Sequence, residues 1–255
     1  MHIYCIKLKT IQKVFLLVLV LVLLSINIGG TTYASVYFNS SLRLVPIYYV
    51  NTDEPKVGIS FDAAWGADKT EKIMEICKEY KVNATFFLTG IWVEAYPDMV
   101  KKISDNGFEI GTHSNTHPDM TKLSKQQMKL ELETCISSIK AITGKEIELF
   151  RPPYGAYNDS LIEVAESLGL KTIQWDVDSL DWKGLSAVEI TNRILNGTRN
   201  GSIILMHNNS DNILSALPLV LDRLIKKGFS PTNIGDVLIK GEYIIDNNGM
   251  QSARI

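Results

Sequence analysis

Residues 57–66 read VGISFDAAWG, and this stretch decides the fold of the chain. Residues 57–61 are a short, mostly apolar run, and Asp62 follows them. This is the pattern of a buried strand with a carboxylate at its carboxyl end. From there to about residue 243, short apolar runs alternate with longer amphipathic stretches. This alternation is typical of βα units around a parallel sheet, so we predict an α/β fold.

The strands and helices of this fold can be placed from local signals. The predicted strands cover residues 57–61, 84–88, 108–111, 147–150, 171–175 and 202–206, with a seventh near Phe229. Ser124 with Gln127 and Ser186 with Glu189 have the spacing of helix capping boxes. Glycines that permit positive φ stand at the expected helix ends: Gly107, Gly144, Gly169 and Gly228. No repeat or linker interrupts this part, so we predict one domain at 51–243, a lead-in at 35–50 and a loose tail at 244–255.

The first 34 residues have the composition of an export signal. No acidic residue precedes Asp53, and three lysines, the last at Lys13, stand before the apolar run at residues 14–24. Small residues follow as far as Ala34, where cleavage is expected. A buried core helix would need a polar face that this run lacks. Without cleavage the segment would be a short membrane anchor, so in both cases we expect the chain to act outside the cytoplasm.

Composition excludes several other classes of protein. The chain has 255 residues, 45% hydrophobic and 21% charged, with a formal net charge of -2. These values exclude disorder and coiled coil, and they argue against a nucleic-acid partner, which needs a concentrated basic surface. Cys77 and Cys135 lie at apolar helical positions, so we expect two buried free thiols, although the sequence leaves a disulfide open.

Side chains suited to chemistry follow the predicted strands. His113, His117 and His207 each lie just beyond a strand, and so do Asp62 and Arg151. Three further acids follow the fifth strand: Asp176, Asp178 and Asp181. In parallel α/β architectures the carboxyl ends of the strands form the rim that carries the active site. We therefore expect these residues to converge around one pocket.

Residues 113–117 read HSNTH, with Pro118 limiting any further helix. A four-residue spacing can put two imidazoles on one face of a helical turn, where both could ligate Zn²⁺ or a similar ion together with an oxygen ligand. A solvated or capping histidine pair is the alternative. The position directly after a strand favours the metal site.

The other motifs suit acid–base chemistry and substrate binding. Asp62 suits a general base or a metal ligand, with an Asx turn or helix cap as the alternative. In RPPYG at residues 151–155, two prolines hold a rigid loop from which Arg151 could bind a carboxylate. After the fifth strand, Trp182 could wall an apolar pocket or stack on a sugar, and one of the acids could orient an imidazole. His207 shares its strand face with Leu205, and its position at the rim indicates an acid–base role.

Five motifs taken in order resemble those of the polysaccharide deacetylases of carbohydrate esterase family 4, the NodB-homology domain. They are SFD at 60–62, HSNTH at 113–117, RPPYG at 151–155, DSLDW at 178–182 and LMH at 205–207. The sequence SFDAAWG at residues 60–66 further resembles that of the subgroup associated with sporulation in Firmicutes and with the spore wall. The resemblance implies a distorted (β/α)7 barrel and metal-dependent hydrolysis of N-acetyl groups on a cell-wall or spore-wall glycan.

The resemblance also assigns roles to residues. It implies that Asp62 is the general base, that Arg151 tethers this base, that Asp178 tunes the catalytic imidazole and that His207 is the general acid. It implies that the metal ligands are His113 and His117. It further implies that the Tyr154 backbone N–H is an oxyanion donor and that the side chains of Trp182 and Leu205 are walls of the acetyl pocket.

One position departs from the family pattern. The family has a second aspartate, a metal ligand, where this chain has Ala63. With only two imidazoles, we expect a divalent metal, Zn²⁺ or Co²⁺, to be held weakly unless another acid such as Asp68 takes over. We therefore consider two hypotheses. The first is a glycan N-deacetylase that is secreted or membrane-anchored, monomeric and located at the cell or spore envelope. The second is a glycan-binding or structural spore-wall protein that has lost turnover. Another metal-assisted hydrolase, such as an O-deacetylase or an amidase, is a further alternative.

Overall fold

The computed structural model describes residues 13, 15–21 and 43–254. By its internal contacts the chain divides into one unit at Met1–Arg43 and a second at Leu44–Ile255. Residues 13 and 15–21 of the first unit are helical, and the rest of the predicted leader at 1–34 lies outside the described residues. Across the described part of the chain, no helix is both long enough and apolar enough to cross a membrane.

The second unit is built on a curled parallel sheet. Its strands are β2 (Lys56–Ala63), β3 (Thr85–Leu88), β4 (Glu109–Thr112), β5 (Leu149–Phe150), β6 (Lys171–Thr172), β7 (Val177–Asp178), β8 (Ile203–His207) and β9 (Ser230–Thr232). Seven of them pair in the order β6-β5-β4-β3-β2-β8-β7, and β9 pairs with β2. All of these pairings are parallel. The predicted α/β class and its seven-stranded (β/α) arrangement are confirmed.

Helices cross between the strands, as parallel pairing requires. They are α1 (Thr70–Glu79), α2 (Gly90–Ala95), α3 (Pro97–Asp105), α4 (Lys125–Thr143), α5 (Asp159–Ser167), α6 (Ala187–Gly197), α7 (Ile213–Lys226) and α8 (Ile234–Val237). Both predicted capping boxes are present, at the starts of α4 and α6. Gly144 ends α4 with a φ of 68°, the left-handed conformation expected there.

The main core lies where the apolar faces of the helices pack on the sheet. In β2 only the first residue is not buried, because the strand has neighbours on both sides and is central. Cys77 on α1 and Cys135 on α4 are both free and buried, as expected. Burial raises the pKa of each thiol to about 12, so both remain protonated and behave as small apolar side chains.

Two segments that we expected outside the domain belong to its structure. Strands β1 (Tyr49–Val50), β10 (Tyr243–Ile245) and β11 (Met250–Ala253) form a second sheet in the order β1-β11-β10. Ile47 and Val50 are each 1% exposed, and Gln251 is fully buried. The second sheet thus takes Tyr49–Val50 from the expected lead-in and Met250–Ala253 from the expected tail, so residues 250–253 are not loose. These strands are too short for a hydrophobic period to reveal them.

The fifth predicted strand also differs. Of residues 171–175, only Lys171–Thr172 form β6, at one edge of the sheet. Val177–Asp178 form a separate strand, β7, which pairs with β8 at the opposite edge. The acids that follow are thereby placed beside His207 and away from β6.

Candidate active site

The two residues expected to carry the acid–base chemistry are neighbours across adjacent strands. Asp62 on β2 pairs in register with His207, the last residue of β8. Because the strands are parallel, both side chains lie at the carboxyl ends of the sheet, where the sequence placed them. The central position of β2 gives Asp62 little freedom to move.

Asp62 is held by an arginine that is itself fully buried. Arg151 Nη1 donates to Asp62 Oδ1 at 2.8 Å and to the Ser60 hydroxyl at 2.8 Å. Its Nη2 donates to the Gln174 carbonyl at 3.2 Å, and the guanidinium lies 4.2 Å from the centre of the Phe87 ring. Asp62 is only 6% exposed and Arg151 is 0% exposed. The tethering contact expected between Arg151 and Asp62 is therefore present.

The charges around Asp62 keep it ionised. Burial alone would raise the pKa of its carboxyl, but Arg151, His113 and His207 together hold that pKa below its usual value. The second carboxylate oxygen, Oδ2, lies 3.5 Å from His113 Nε2. At neutral pH Asp62 is thus a carboxylate that faces the imidazoles of the site.

His207 is oriented by Asp181 and not by Asp178. Asp181 Oδ1 accepts a hydrogen bond from His207 Nδ1–H at 2.8 Å, and Oδ2 accepts one from the His207 backbone N–H at 2.9 Å. Asp178 instead accepts from the Leu180 N–H at 2.8 Å and adds only its charge at longer range. The chain turns at Leu180, whose φ is 51°, and this turn brings Asp181 back over His207. Asp178, to which the resemblance assigns the tuning of the imidazole, thus acts on His207 through its charge, whereas Asp181 makes the direct hydrogen bonds.

The environment of His207 favours its protonated form. Burial by itself would lower the pKa of the imidazole, but the hydrogen bond to Asp181 and the charge of Asp62 raise the pKa above its usual value. Because Asp181 fixes Nδ1, the other ring nitrogen, Nε2, is the one available for proton transfer. The site therefore pairs an ionised carboxylate with a positioned imidazole acid.

His113 and His117 meet through a turn and not through a helix. Their ring centroids lie 4.9 Å apart with an angle of 67° between the planes. The turn contains left-handed residues, Ser114 with φ 71° and His117 with φ 60°, and the His117 N–H donates to the Ser114 hydroxyl at 3.0 Å. The proximity expected from the spacing is present, although the backbone is not helical.

A residue that sequence reasoning missed holds this turn. Glu131 on α4 accepts hydrogen bonds from the backbone N–H of Asn115 at 2.9 Å and of Thr116 at 2.8 Å, and from the Thr116 hydroxyl at 2.8 Å. Gly90 supports the turn from the other side, because a Cβ there would collide with the Asn115 side chain. Neither contact has a signal in the local sequence, since each joins segments that are distant in the chain.

The two imidazoles suit metal ligation, but they do not form a complete metal site. His113 Nδ1–H donates to the Arg151 carbonyl at 2.6 Å, which leaves Nε2 as the free nitrogen, and burial lowers the pKa of this imidazole to about 4. His117 Nδ1 is buried without a hydrogen-bond partner, and burial also lowers the pKa of His117. Within the described residues, however, no group of three His, Cys, Asp or Glu side chains could hold an ion. Asp68 therefore does not replace the missing ligand, and the donor set does not fit the three protein ligands of a catalytic zinc site.

Of the residues expected to bind substrate, Tyr154 lies against His117, whereas Trp182 and Leu205 are placed by their neighbours in sequence, Asp181 and His207. Tyr154 has a left-handed φ of 60°, which is uncommon for a non-glycine residue, and its exposed ring lies 4.7 Å from the His117 ring. Trp182 follows Asp181 directly in a 3-10 turn and is 60% exposed. Leu205 is buried on β8, two residues before His207, so the two side chains share a face of the strand.

Comparison with known proteins agrees with this geometry. The profile of the family described as Polysaccharide deacetylase matches residues 49–173. Over 209 residues the chain is 31% identical to the peptidoglycan-N-acetylmuramic acid deacetylase PdaA of Bacillus subtilis, and the match covers 80% of each protein. It is 33% identical to the uncharacterized protein YlxY of Bacillus subtilis over 78% of this chain, a region that spans 62% of YlxY.

One solved structure has a similar fold. A wild-type protein of Bacillus anthracis, described as a family 4 carbohydrate esterase pseudoenzyme, superposes with a TM-score of 0.74 at 33% identity, over 77% of this chain and 69% of that one. The fold, the motif residues and the relatives agree with one another. The chain belongs to the polysaccharide deacetylases of carbohydrate esterase family 4.

Proposed function

We propose that this protein hydrolyses the N-acetyl group of an N-acetylated amino sugar in a cell-wall glycan such as peptidoglycan. The observation that carries the proposal is the in-register pair of Asp62 and His207, each held by its own buried partner. Relatives named as peptidoglycan deacetylases supply the substrate class.

The pair can perform the two proton transfers of amide hydrolysis. The Asp62 carboxylate takes a proton from a water molecule, whose oxygen attacks the acetamide carbonyl carbon. The C–N bond then breaks, and His207 gives a proton from Nε2 to the leaving amine. One water is consumed, and acetate and a free amino sugar are released.

Other residues would hold the substrate during these steps. The Tyr154 backbone N–H would donate to the carbonyl oxygen as negative charge develops on it, which is the role the family motif assigns to it. The side chains of Leu205, on the strand that ends in His207, and of Trp182, which follows Asp181, would wall the acetyl methyl group. The buried Arg151 keeps Asp62 in place through its hydrogen bond to Oδ1, and the bonds of Arg151 to the Ser60 hydroxyl and the Gln174 carbonyl hold the guanidinium itself.

The metal of the family is the point at which this chain differs. Deacetylases of this family are generally metal-dependent. Ala63 is fully buried and cannot ligate, so the protein offers two imidazoles where three ligands are expected. We therefore assign no step of the reaction to a metal in this chain.

A second function is favoured by the same position. The similarity to a protein described as a pseudoenzyme, together with Ala63, supports a glycan-binding protein at the cell or spore envelope that performs no turnover. Under both functions we propose that the chain acts as a monomer. Because of the leader composition, we also propose that it acts outside the cytoplasm, either secreted or anchored by its N-terminal segment.

Acetate release from peptidoglycan and from chitooligosaccharides separates the two functions. The purified protein is assayed with Zn²⁺, with Co²⁺ and with no added metal, beside its Asp62→Asn variant, and glycan binding is measured in parallel. Acetate release that disappears in Asp62→Asn supports the deacetylase. Binding without release under every metal condition supports the second function and refutes the first.

A further inference from the structure

Trp65 differs from the tryptophans that form the core. Its side chain is 58% exposed, whereas Trp92, which lies nearby on α2, is only 1% exposed. The Trp65 ring lies 6.1 Å from the His117 ring with an angle of 60° between the planes. The exposed indole thus offers an apolar face beside one of the imidazoles of the site.

The loop that carries Trp65 is held rigidly. The Gly66 carbonyl accepts hydrogen bonds from Trp92 Nε1 at 2.6 Å and from Asn208 Nδ2 at 2.8 Å. Lys69 donates to the carbonyls of Asn209 and Ser210, each at 3.0 Å. The loop is thus tied to the segment that directly follows the catalytic acid. The backbone next to Trp65 is therefore held in place before a ligand binds, which lowers the entropy that binding must cost.

The surroundings of Trp65 indicate what it would bind. Two exposed rings lie near His117: the ring centroid of Trp65 is 6.1 Å from that of His117, and the ring centroid of Tyr154 is 4.7 Å from it. Asp62 and the imidazoles supply the polar contacts for the reacting acetamide, so the indole face is left for an apolar surface next to it. A pyranose ring has such a surface in the C–H groups of its face, and aromatic rings pack against it with their apolar body.

We propose that Trp65 is a substrate-binding residue that stacks on a pyranose ring of the N-acetylated glycan, on the His117 side of the site. This inference rests on the proposed function, because it takes its ligand from that function. It adds a binding position outside the SFD, HSNTH, RPPYG, DSLDW and LMH motifs, because Trp65 follows SFD at 60–62.

Binding of tetra-N-acetylchitotetraose by isothermal titration calorimetry tests the proposal. All variants carry Asp62→Asn so that bound sugar is not deacetylated. Trp65→Ala is compared with Trp65→Phe, which keeps a ring, and with Ile244→Ala, which removes a side chain of similar exposure, 54%, on β10. Thermal unfolding of each variant checks that the fold is kept.

We expect Trp65→Ala to weaken binding about tenfold, Trp65→Phe to bind within about twofold of the parent, and Ile244→Ala to have no effect. Equal binding by Trp65→Ala and the parent would overturn the role of Trp65 and leave the proposed function standing. Absence of binding by the parent itself would overturn the proposed function, and the role of Trp65 with it.

Discussion

Replacing Asp181 by asparagine tests the assignment of the residue that positions the acid. Asp181 is 1% exposed and accepts two hydrogen bonds from His207, one from the ring and one from the backbone. Asparagine keeps the size and one acceptor oxygen but removes the negative charge. The protonated imidazole loses its ionic partner, so the pKa of His207 should fall.

The size of the effect follows from the geometry. A hydrogen bond to a charged group, as at the 2.8 Å contact of Asp181 Oδ1 with His207 Nδ1, contributes about 1.5–3 kcal/mol. Its loss would lower the ratio of protonated to neutral imidazole by about 10- to 100-fold. Asp178→Asn is the matched control, because Asp178 makes its hydrogen bond to Leu180 and should change this ratio much less.

Stability should follow the same sign. The contact raises the pKa of His207 above its unfolded value, so it stabilises the fold below the unfolded pKa of about 6.5, and that stabilisation is lost as the pH rises through the folded pKa. The free energy of unfolding should therefore differ more between wild type and Asp181→Asn below about pH 6 than above about pH 9.

Nuclear magnetic resonance titration of the His207 ring protons measures the pKa directly and does not depend on turnover. Where acetate release is detectable, the alkaline limb of its pH profile should move to lower pH in Asp181→Asn. An unchanged His207 titration in Asp181→Asn, or a larger change in Asp178→Asn, would refute the assignment of Asp181.

Three further predictions concern the catalytic pair, the missing ligand and the turn. Asp62→Asn or His207→Ala should each lower deacetylation by about 10² or more with the melting temperature kept within a few degrees, and wild-type rates in both variants would contradict the mechanism. Wild-type protein should bind Zn²⁺ weakly and lose it to mild chelation, whereas Ala63→Asp should bind Zn²⁺ more tightly in calorimetric titration. Tight and equal binding of Zn²⁺ by both proteins would mean that another residue completes the site. Glu131→Ala should destabilise the fold by about 1 kcal/mol in denaturant unfolding, because the half-buried Asn115 N–H and the exposed Thr116 N–H lose their acceptor, and an unchanged unfolding midpoint would show that Glu131 does not hold the turn.

The sequence predicted those parts of the fold and site that depend on local patterns. The strands that became β2, β3, β4 and β8 are apolar runs buried on both faces, and a polar residue at the end of such a run lies at the rim of a parallel sheet. Asp62, His113 and His207 could be placed in this way from the chain alone. Their mutual contacts follow from the parallel register.

The parts that sequence reasoning missed depend on contacts between distant segments. Strand β7 has two residues, too few for a period, so the acids after it were assigned to the wrong strand. The choice of Asp181 over Asp178 depends on the left-handed turn at Leu180, a residue type that gives no turn signal. Glu131 lies on α4 and accepts hydrogen bonds from the turn at 115–116. The residues next to Glu131 in sequence do not indicate this contact.

The site combines an intact acid–base pair with an incomplete metal site, and this combination has an energetic consequence. A buried Arg–Asp pair such as Arg151 with Asp62 contributes little to stability compared with apolar side chains of the same size, so its presence at the rim of the sheet is consistent with a role in chemistry or binding. Ala63, in contrast, belongs to the apolar core between the sheet and the helices. An aspartate there would bring a buried charge that needs a cation as partner. Added divalent ion should therefore raise the melting temperature of Ala63→Asp more than that of the wild type, and an equal shift in both proteins would contradict the placement of Ala63 at the ligand position.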